Sequence, residues 1–387
     1  HHGGAGHYRP LAQLSLALDH RIATALQAPS SAAHDDPPPA WVFRTSGLAL
    51  HVLVVLFAAL LGRQLTRGAG RVYLPFLLAV FAVHPVQADV AAWISARSST
   101  LALLPGLALA SVALRRPSSA RRAFLSAGLA TLLGLLAKED GYLSGLLVLA
   151  ALAARRSSSA LAALLGAGLG LALALGMRGL ALGTWLPAAP HAPLAGEPLG
   201  ERLLMGLAAL GNGVLGIFNP AFTVPIHRAE HLGVGPSTLV AAGLVILLVA
   251  GLAWYHRRTA AGWWFALVLA AWLPFTQLVP AGEVLAPRFF YAPLLCFTLG
   301  LAAAERRPHA ATRTFGLLLI VVACYVPLAR QDAAMYTDRA SFARSVIARY
   351  PADARAWNDL GVAQLEAGER LLARRALERA VRLDATY

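Results

Sequence analysis

The sequence predicts an all-α fold: a polytopic membrane helix bundle followed by a C-terminal helical repeat region. Three observations carry that prediction. The 387-residue chain is 58% hydrophobic and only 13% charged, with a mean hydropathy of +0.60. Apolar runs of about 15 to 22 residues recur along it, close to the length that crosses a hydrocarbon core of about 30 Å. Arginines gather in alternate loops between those runs, and from about Tyr336 the chain becomes charged and amphipathic.

The first segment, 1–40, reads as an outer loop. Its apolar residues Leu11, Leu14, Leu18 and Ile22 have helical spacing, which suits a helix lying along the membrane surface as far as about Leu26. Residues 41–330 form the membrane domain. Ten spans are expected in it, at 41–62, 72–92, 98–114, 123–137, 141–154, 159–177, 237–255, 262–280, 289–304 and 314–329. Between 178 and 236 lies a long outer loop whose apolar, glycine-rich middle, Leu203 to Phe218 before Asn219-Pro220, suits a surface-lying or re-entrant element.

Loop arginines orient the bundle. Arg63, Arg67 and Arg71; Arg115, Arg116, Arg121 and Arg122; Arg155 and Arg156; Arg257 and Arg258; and Arg306, Arg307 and Arg313 all fall on one side. The intervening turns hold only Arg97, Lys138, Arg178, Arg202, Arg228 and Arg288. By the positive-inside rule the arginine-rich side is cytoplasmic. Both ends of the chain then lie outside, in the periplasm of a bacterial inner membrane or in the equivalent endoplasmic-reticulum lumen. A chain that begins at His1 on the outer side implies a further upstream span and outer loop.

Several function classes drop out. The net charge of +14 sits in short loops between spans, so nucleic acid is not an expected partner. Cys296 and Cys324 fall inside spans, which argues against a disulfide framework or zinc site. His191, His227 and His231 show no ligand spacing, so no metal residues are assigned, although a divalent ion as cofactor stays open.

From 331 the tail reads as a soluble helical domain. Asp353 caps a helix bearing Trp357, Leu360 and Gly361, and Ala373, Leu377 and Ala380 follow at the packing positions of a second helix. That spacing matches one 34-residue tetratricopeptide repeat, with Gln364 in place of the usual aromatic. Tyr336 to Arg349 reads as a preceding helix, and the array is expected to continue past Tyr387, since one repeat buries its own face poorly.

The candidate chemistry lies on the outer side. Of 33 basic residues, Lys138 alone is lysine, a compact ammonium kept where the guanidinium fork was not. It opens Lys138-Glu139-Asp140, three charges splitting an apolar stretch, which marks a site hypothesis because such charges are costly outside a wet cavity. His84-Pro85-Val86-Gln87-Ala88-Asp89 precedes Trp93-Ile94-Ser95-Ala96-Arg97; on one helical turn His84 and Asp89 could act together, and Arg97 could grip a phosphate bidentately. Arg288 enters a span beside Phe289, Phe290 and Tyr291, after Glu283, and Arg9 lies in Tyr8-Arg9-Pro10-Leu11. Helix capping, snorkelling and an interfacial aromatic belt are the bland alternatives.

In this order, and followed by tetratricopeptide-like spacing, these motifs resemble the transmembrane and tetratricopeptide-repeat-containing O-mannosyltransferase family and its bacterial relatives, which have the GT-C glycosyltransferase architecture. The resemblance covers essentially the whole chain. It implies transfer of a sugar, mannose among the candidates, from a polyprenyl-phosphate carrier to an acceptor, a protein hydroxyl for instance, on the outer face. Lys138, Arg288 and Arg97, with Glu139, Tyr291 and Arg9, would bind the donor phosphate and lipid carrier. Asp89, where the family has glutamate, and His84 would be catalytic-site groups, with the main catalytic acid expected upstream. Membrane lipids and a protein held by the repeats would be partners. Departures are Arg44 and Gly47, with only His51 retained, Ser99 in an acidic place and Pro287 for glutamate; they leave room for altered specificity or reduced activity. A silent membrane-anchored repeat scaffold and a lipid-linked-sugar transporter are the alternative readings.

Overall fold

The computed structural model describes residues 8–26, 39–115, 119–185, 192, 194–218, 232–280, 283–304 and 311–385, with the backbone alone at 311–315, 317 and 318. His191, His227, His231, Arg116, Arg228, Arg306, Arg307 and Asn219-Pro220 lie outside the described residues, as do the side chain of Arg313 and Tyr387.

The described residues are all-helical, without strands. Sixteen α-helices follow in order: α1 (Pro10–Leu26), α2 (Ala40–Leu65), α3 (Ala69–Val83), α4 (Gln87–Ala92), α5 (Arg97–Arg115), α6 (Ala120–Ala137), α7 (Tyr142–Ala154), α8 (Ala160–Leu182), α9 (Leu199–Phe218), α10 (Pro236–Tyr255), α11 (Ala260–Trp272), α12 (Tyr291–Ala304), α13 (Ala311–Ala334), α14 (Arg339–Arg349), α15 (Ala354–Glu366) and α16 (Arg370–Leu383). Short 3-10 turns at Ile94–Ala96, Glu139–Gly141, Leu273–Thr276 and Pro287–Phe290 link them at one pole.

Local chemistry explains the boundaries. Ser119 accepts the Arg122 N–H to start α6, and Asp338 and Asp353 do the same for α14 and α15 through Ser341 and Ala356. Pro85 cannot extend α3, so the chain leaves the helix at His84 in an extended conformation. Gly183, in the left-handed region at φ 70°, closes α8.

Of the ten expected spans, six helices are long and apolar enough to cross a membrane: Ala40–Leu65, Ile94–Arg115, Ala120–Ala137, Ala160–Leu182, Pro236–Tyr255 and Pro287–Ala304. The expected count of ten is not reached by this measure. The stretch 72–92 is broken by His84-Pro85 into α3 and α4, and α7 and α11 have only 13 residues each. The 24-residue α13 carries Pro327 together with Arg330 and Asp332. Apolarity is continuous through these segments, but it does not fix how much of each is one helix.

A shared core runs through α2, α3, α5, α6, α7, α11 and α12, where Leu61, Leu74, Leu107, Leu147, Trp264 and Leu299 are buried. Many outward-facing side chains are apolar, including Leu164, Leu165, Leu244 and Leu247. That inversion of a soluble surface is what a lipid solvent permits, and it identifies the bundle as a membrane protein. α1 packs on α2, α5 and α6 through Ala12, Asp19 and Ala23, while Leu14, Leu18, Ile22 and Leu26 face outward.

Close backbone approach fixes the crossings. A Cβ on Gly166 would stand 2.0 Å from the Phe124 carbonyl oxygen, and one on Gly170 would stand 2.3 Å from that of Gly128, so α6 and α8 pack through small residues. A Cβ on Gly141 would lie 1.9 Å from the Gly134 carbonyl carbon. The turn after Lys138 is thereby pressed against the helix that delivers it. α15 and α16 form a helical hairpin with α14 alongside; Gly361 makes room for Leu377, and Ala373, Ala376 and Ala380 are buried.

Replacing Gly141 with alanine should lower stability by about 1–3 kcal/mol or more through overpacking against backbone. Gly168→Ala, with nothing within 4 Å of its Cβ, should be near neutral. Thermal midpoints of the two variants in one detergent check the contrast; equal midpoints would contradict it.

Candidate functional site

The outer-turn residues assemble at one end of the bundle. Helix α6 stops at Lys138, whose backbone is extended, and the 3-10 turn Glu139–Gly141 doubles back into α7. Lys138 Nζ donates to Asp140 Oδ2 at 2.8 Å and to Ser99 Oγ at 3.1 Å. It also stands 5.7 Å from the centre of the Phe275 ring. Glu139 faces the other way and accepts Arg9 Nε and Nη2, at 3.0 and 2.5 Å to Oε2, bringing the start of α1 onto this turn.

Arg288 forms the second centre. The turn before α12 aims its backbone N–H and its Nη1 at Asp89 Oδ2, at 3.0 and 3.2 Å. Nη2 pairs with Glu283, and the guanidinium lies 4.4 Å from the Trp93 ring centre. A π-stack joins the two centres: Phe275 and Phe289 are 4.0 Å apart and tilted by 12°, and the Arg288 guanidinium is 5.6 Å from Phe289. Lys138 and Arg288 thus sit over opposite ends of one aromatic pair, close enough to share a site.

Around them the electrostatics are matched. In a low-dielectric environment an unpaired charge is costly, and each of the four cations has a carboxylate: Lys138 with Asp140, Arg9 with Glu139, Arg288 with Asp89 and Glu283, and Arg97 with Asp19. Tyr336 stands beside Asp89; burial first, and then the carboxylate's negative charge, push its phenol well above the usual range, so it remains an O–H donor at neutral pH. The C-terminal segment docks on this rim. Arg44 Nη2 donates to the Tyr336 and Thr337 carbonyls at 2.8 and 2.6 Å, and Trp93 packs on Tyr336 and Phe342.

Three expected roles change. Arg97, expected to hold a phosphate, is 1% exposed. Its donors go to Asp19 Oδ2 at 2.5 Å, Ser15 Oγ, the Phe43 carbonyl and the Ile94 carbonyl. It is a structural tie between α1, α2 and α5. Tyr291, expected among the carrier-binding groups, is buried and donates to His51 Nδ1 at 2.9 Å, because His51 Nε2 faces the Ala82 carbonyl and must carry the ring proton. His84 and Asp89 do not act as a pair: Pro85 separates them onto different elements. His84 Nδ1 accepts the Val86 N–H and its ring packs edge-on to Tyr325, while Asp89 lies beneath Arg288.

Sequence reasoning missed Asp19, Glu283 as the partner of Arg288, and the Phe275–Phe289 pair. Asp19 had a readable signal, an acid on the alanine face opposite the leucines of α1. Among the described residues no group of three His, Cys, Asp or Glu side chains gathers as a metal site. No protein-family model, curated protein or solved structure matches this chain.

Asp19→Asn should cost about 3–5 kcal/mol, since it strands a buried guanidinium, whereas the double change Asp19→Leu, Arg97→Met should recover most of that loss. Unfolding of the single and double variants in detergent tests this; a single variant as stable as the parent contradicts the structural tie.

Proposed function

We propose that this protein is a membrane glycosyltransferase of GT-C type, with ten spans and a tetratricopeptide-like tail. It moves a sugar from a polyprenyl-phosphate carrier to an acceptor hydroxyl on the outer face. One observation carries the reading: the lone lysine and Arg288, distant in sequence, lie over opposite ends of the Phe275–Phe289 stack at one pole of an apolar bundle. Paired cations at the bilayer boundary suit an anionic phosphate with a long lipid tail, and aromatic faces between them suit the carrier's isoprenoid or the sugar ring.

In the reaction the acceptor oxygen bonds to the anomeric carbon as the bond from that carbon to the carrier phosphate breaks. The hydroxyl proton passes to a carboxylate base, and the phosphate leaves with added negative charge. Lys138 and Arg288 stabilise that charge, which accumulates most in the transition state. Asp89 positions Arg288 from beneath and Arg9 positions the Lys138 turn through Glu139. Without donor, Asp140 and Glu283 occupy the cations; the incoming phosphate displaces them, so the clamp opens by carboxylate exchange.

A second reading, a silent scaffold, is favoured by that same charge matching, since a site whose cations are all paired needs no ligand. Kinetics separate the two. Lys138→Ala and Arg288→Ala should each abolish transfer from a reconstituted polyprenyl-phosphate sugar, with insertion and abundance preserved. Lys138→Arg should retain little activity, because the guanidinium fork does not fit the space of an ammonium. Glu283→Gln should lower the KM for donor several-fold by removing the competing carboxylate. Undiminished turnover in both alanine variants would eliminate the phosphate clamp; no turnover by the parent with any polyprenyl-phosphate sugar would favour the scaffold.

A further inference from the structure

The pole opposite this site carries a second concentration of cations. A hollow of about 500 Å³ opens there among the ends of α2, α3, α5 and α7, lined by Arg63, Arg71, Arg115 and Arg155 with Gln64, Leu60 and Leu114. Four separate helix ends each contribute one guanidinium. Arg155 Nη2 donates to the Gln64 carbonyl at 2.6 Å and Arg71 Nη2 to the Arg63 carbonyl at 3.0 Å, which holds both arginines against the end of α2. Among the described residues the guanidinium groups of Arg63 and Arg115 make no hydrogen bond or ion pair with protein, and Gln64 Oε1 is buried without a partner.

The helices that supply these arginines bring no counter-charge with them. No aspartate or glutamate occurs between Asp36 and Asp89, between Asp89 and Glu139, or between Asp140 and Glu197, so α2, α3, α5 and α7 reach this pole with no acid of their own. By contrast, Lys138, Arg9, Arg288 and Arg97 at the other pole each pair with a carboxylate. The positive-inside rule accounts for arginines in loops but does not require them to line one cavity. Four guanidinia within one concave surface repel each other unless an anion sits among them.

We propose that this hollow binds a phosphate-bearing anion, and that the anion is the headgroup of an acidic membrane lipid. Guanidinium forks match phosphate oxygens in geometry and charge, and basic pockets between helix ends suit anionic headgroups. The lipid source is favoured over a free anion by Leu60 and Leu114, the former 41% exposed, which give acyl chains an apolar wall beside the cations. The assignment is independent of the transfer chemistry at the other pole.

The test uses the full chain, delipidated in phosphate-free detergent, with native mass spectrometry and thermal midpoint as readouts. The probes are phosphatidylglycerol, phosphatidylcholine and inorganic phosphate. Arg63→Gln/Arg115→Gln is compared with Arg257→Gln/Arg258→Gln, which removes the same charge from another loop. Retained phosphatidylglycerol, raising the midpoint in the parent and the 257/258 variant but bound about tenfold or more weakly by the 63/115 variant, is the expected result. Equal protection of the parent by inorganic phosphate, lost in the 63/115 variant, would keep the anion site and identify a free anion as its occupant. Indifference of the parent to every probe, or equal weakening in both double variants, would overturn the proposal. Matching midpoints of the lipid-free variants exclude misfolding as the cause.

Discussion

One buried arginine organises the pole on which the candidate site is built. Arg97 binds Asp19 and Ser15 of α1, the carbonyl of Phe43 in α2 and that of Ile94 ahead of α5. Ser46 adds a further hydrogen bond to the same Asp19 oxygen. Three elements far apart in sequence are thereby fixed by a single guanidinium, whose five donors point in set directions. Arg9 and Ser99 follow from this arrangement. The first is delivered by the helix that Arg97 anchors, and the second lies two residues along the helix that Arg97 begins.

That tie also sets Arg97 apart from the other cations of this pole. A group held on several sides and 1% exposed cannot reorganise around a ligand, whereas the side chains of Lys138 and Arg288 keep 10% and 12% of their surface exposed. Trp93 stands between these layers. It covers Arg288 on one face and meets Tyr336 and Phe342 on the other, so the soluble tail and the membrane bundle share one aromatic residue at the rim.

Much of this was legible in the residues. Most helix limits followed the apolar runs, with 72–92 and 262–280 the exceptions, and the outward leucine face of α1 followed its spacing. The isolated Lys138 turn was visible because its chemistry conflicts with its surroundings. What was not legible depended on distance along the chain. The Arg97–Asp19 pair joins residues 78 apart and His51–Tyr291 joins residues 240 apart, and no periodicity links such partners. The His84–Asp89 reading failed locally instead: it assumed one helix through Pro85, where the missing N–H and the ring end α3. Ten apolar runs and six long apolar helices differ because hydropathy measures the apolarity of a segment and not whether its backbone stays in one helix.

The shortness of two neighbours has a consequence for the bundle around them. Helices α7 and α11 pack together, tied by the Tyr142 hydroxyl to the Ala270 carbonyl at 2.8 Å, and each has 13 residues. At 1.5 Å per residue such a helix reaches about 20 Å, well short of a hydrocarbon layer of about 30 Å. No residue of α7 is exposed, so that short helix is bordered by protein rather than by lipid. Lys138 begins the turn into α7 and Phe275 lies just past the end of α11. Lys138 and Phe275 thus mark the ends of short helices set among longer ones, and α5, α6 and α8 around α7 supply the length that it lacks.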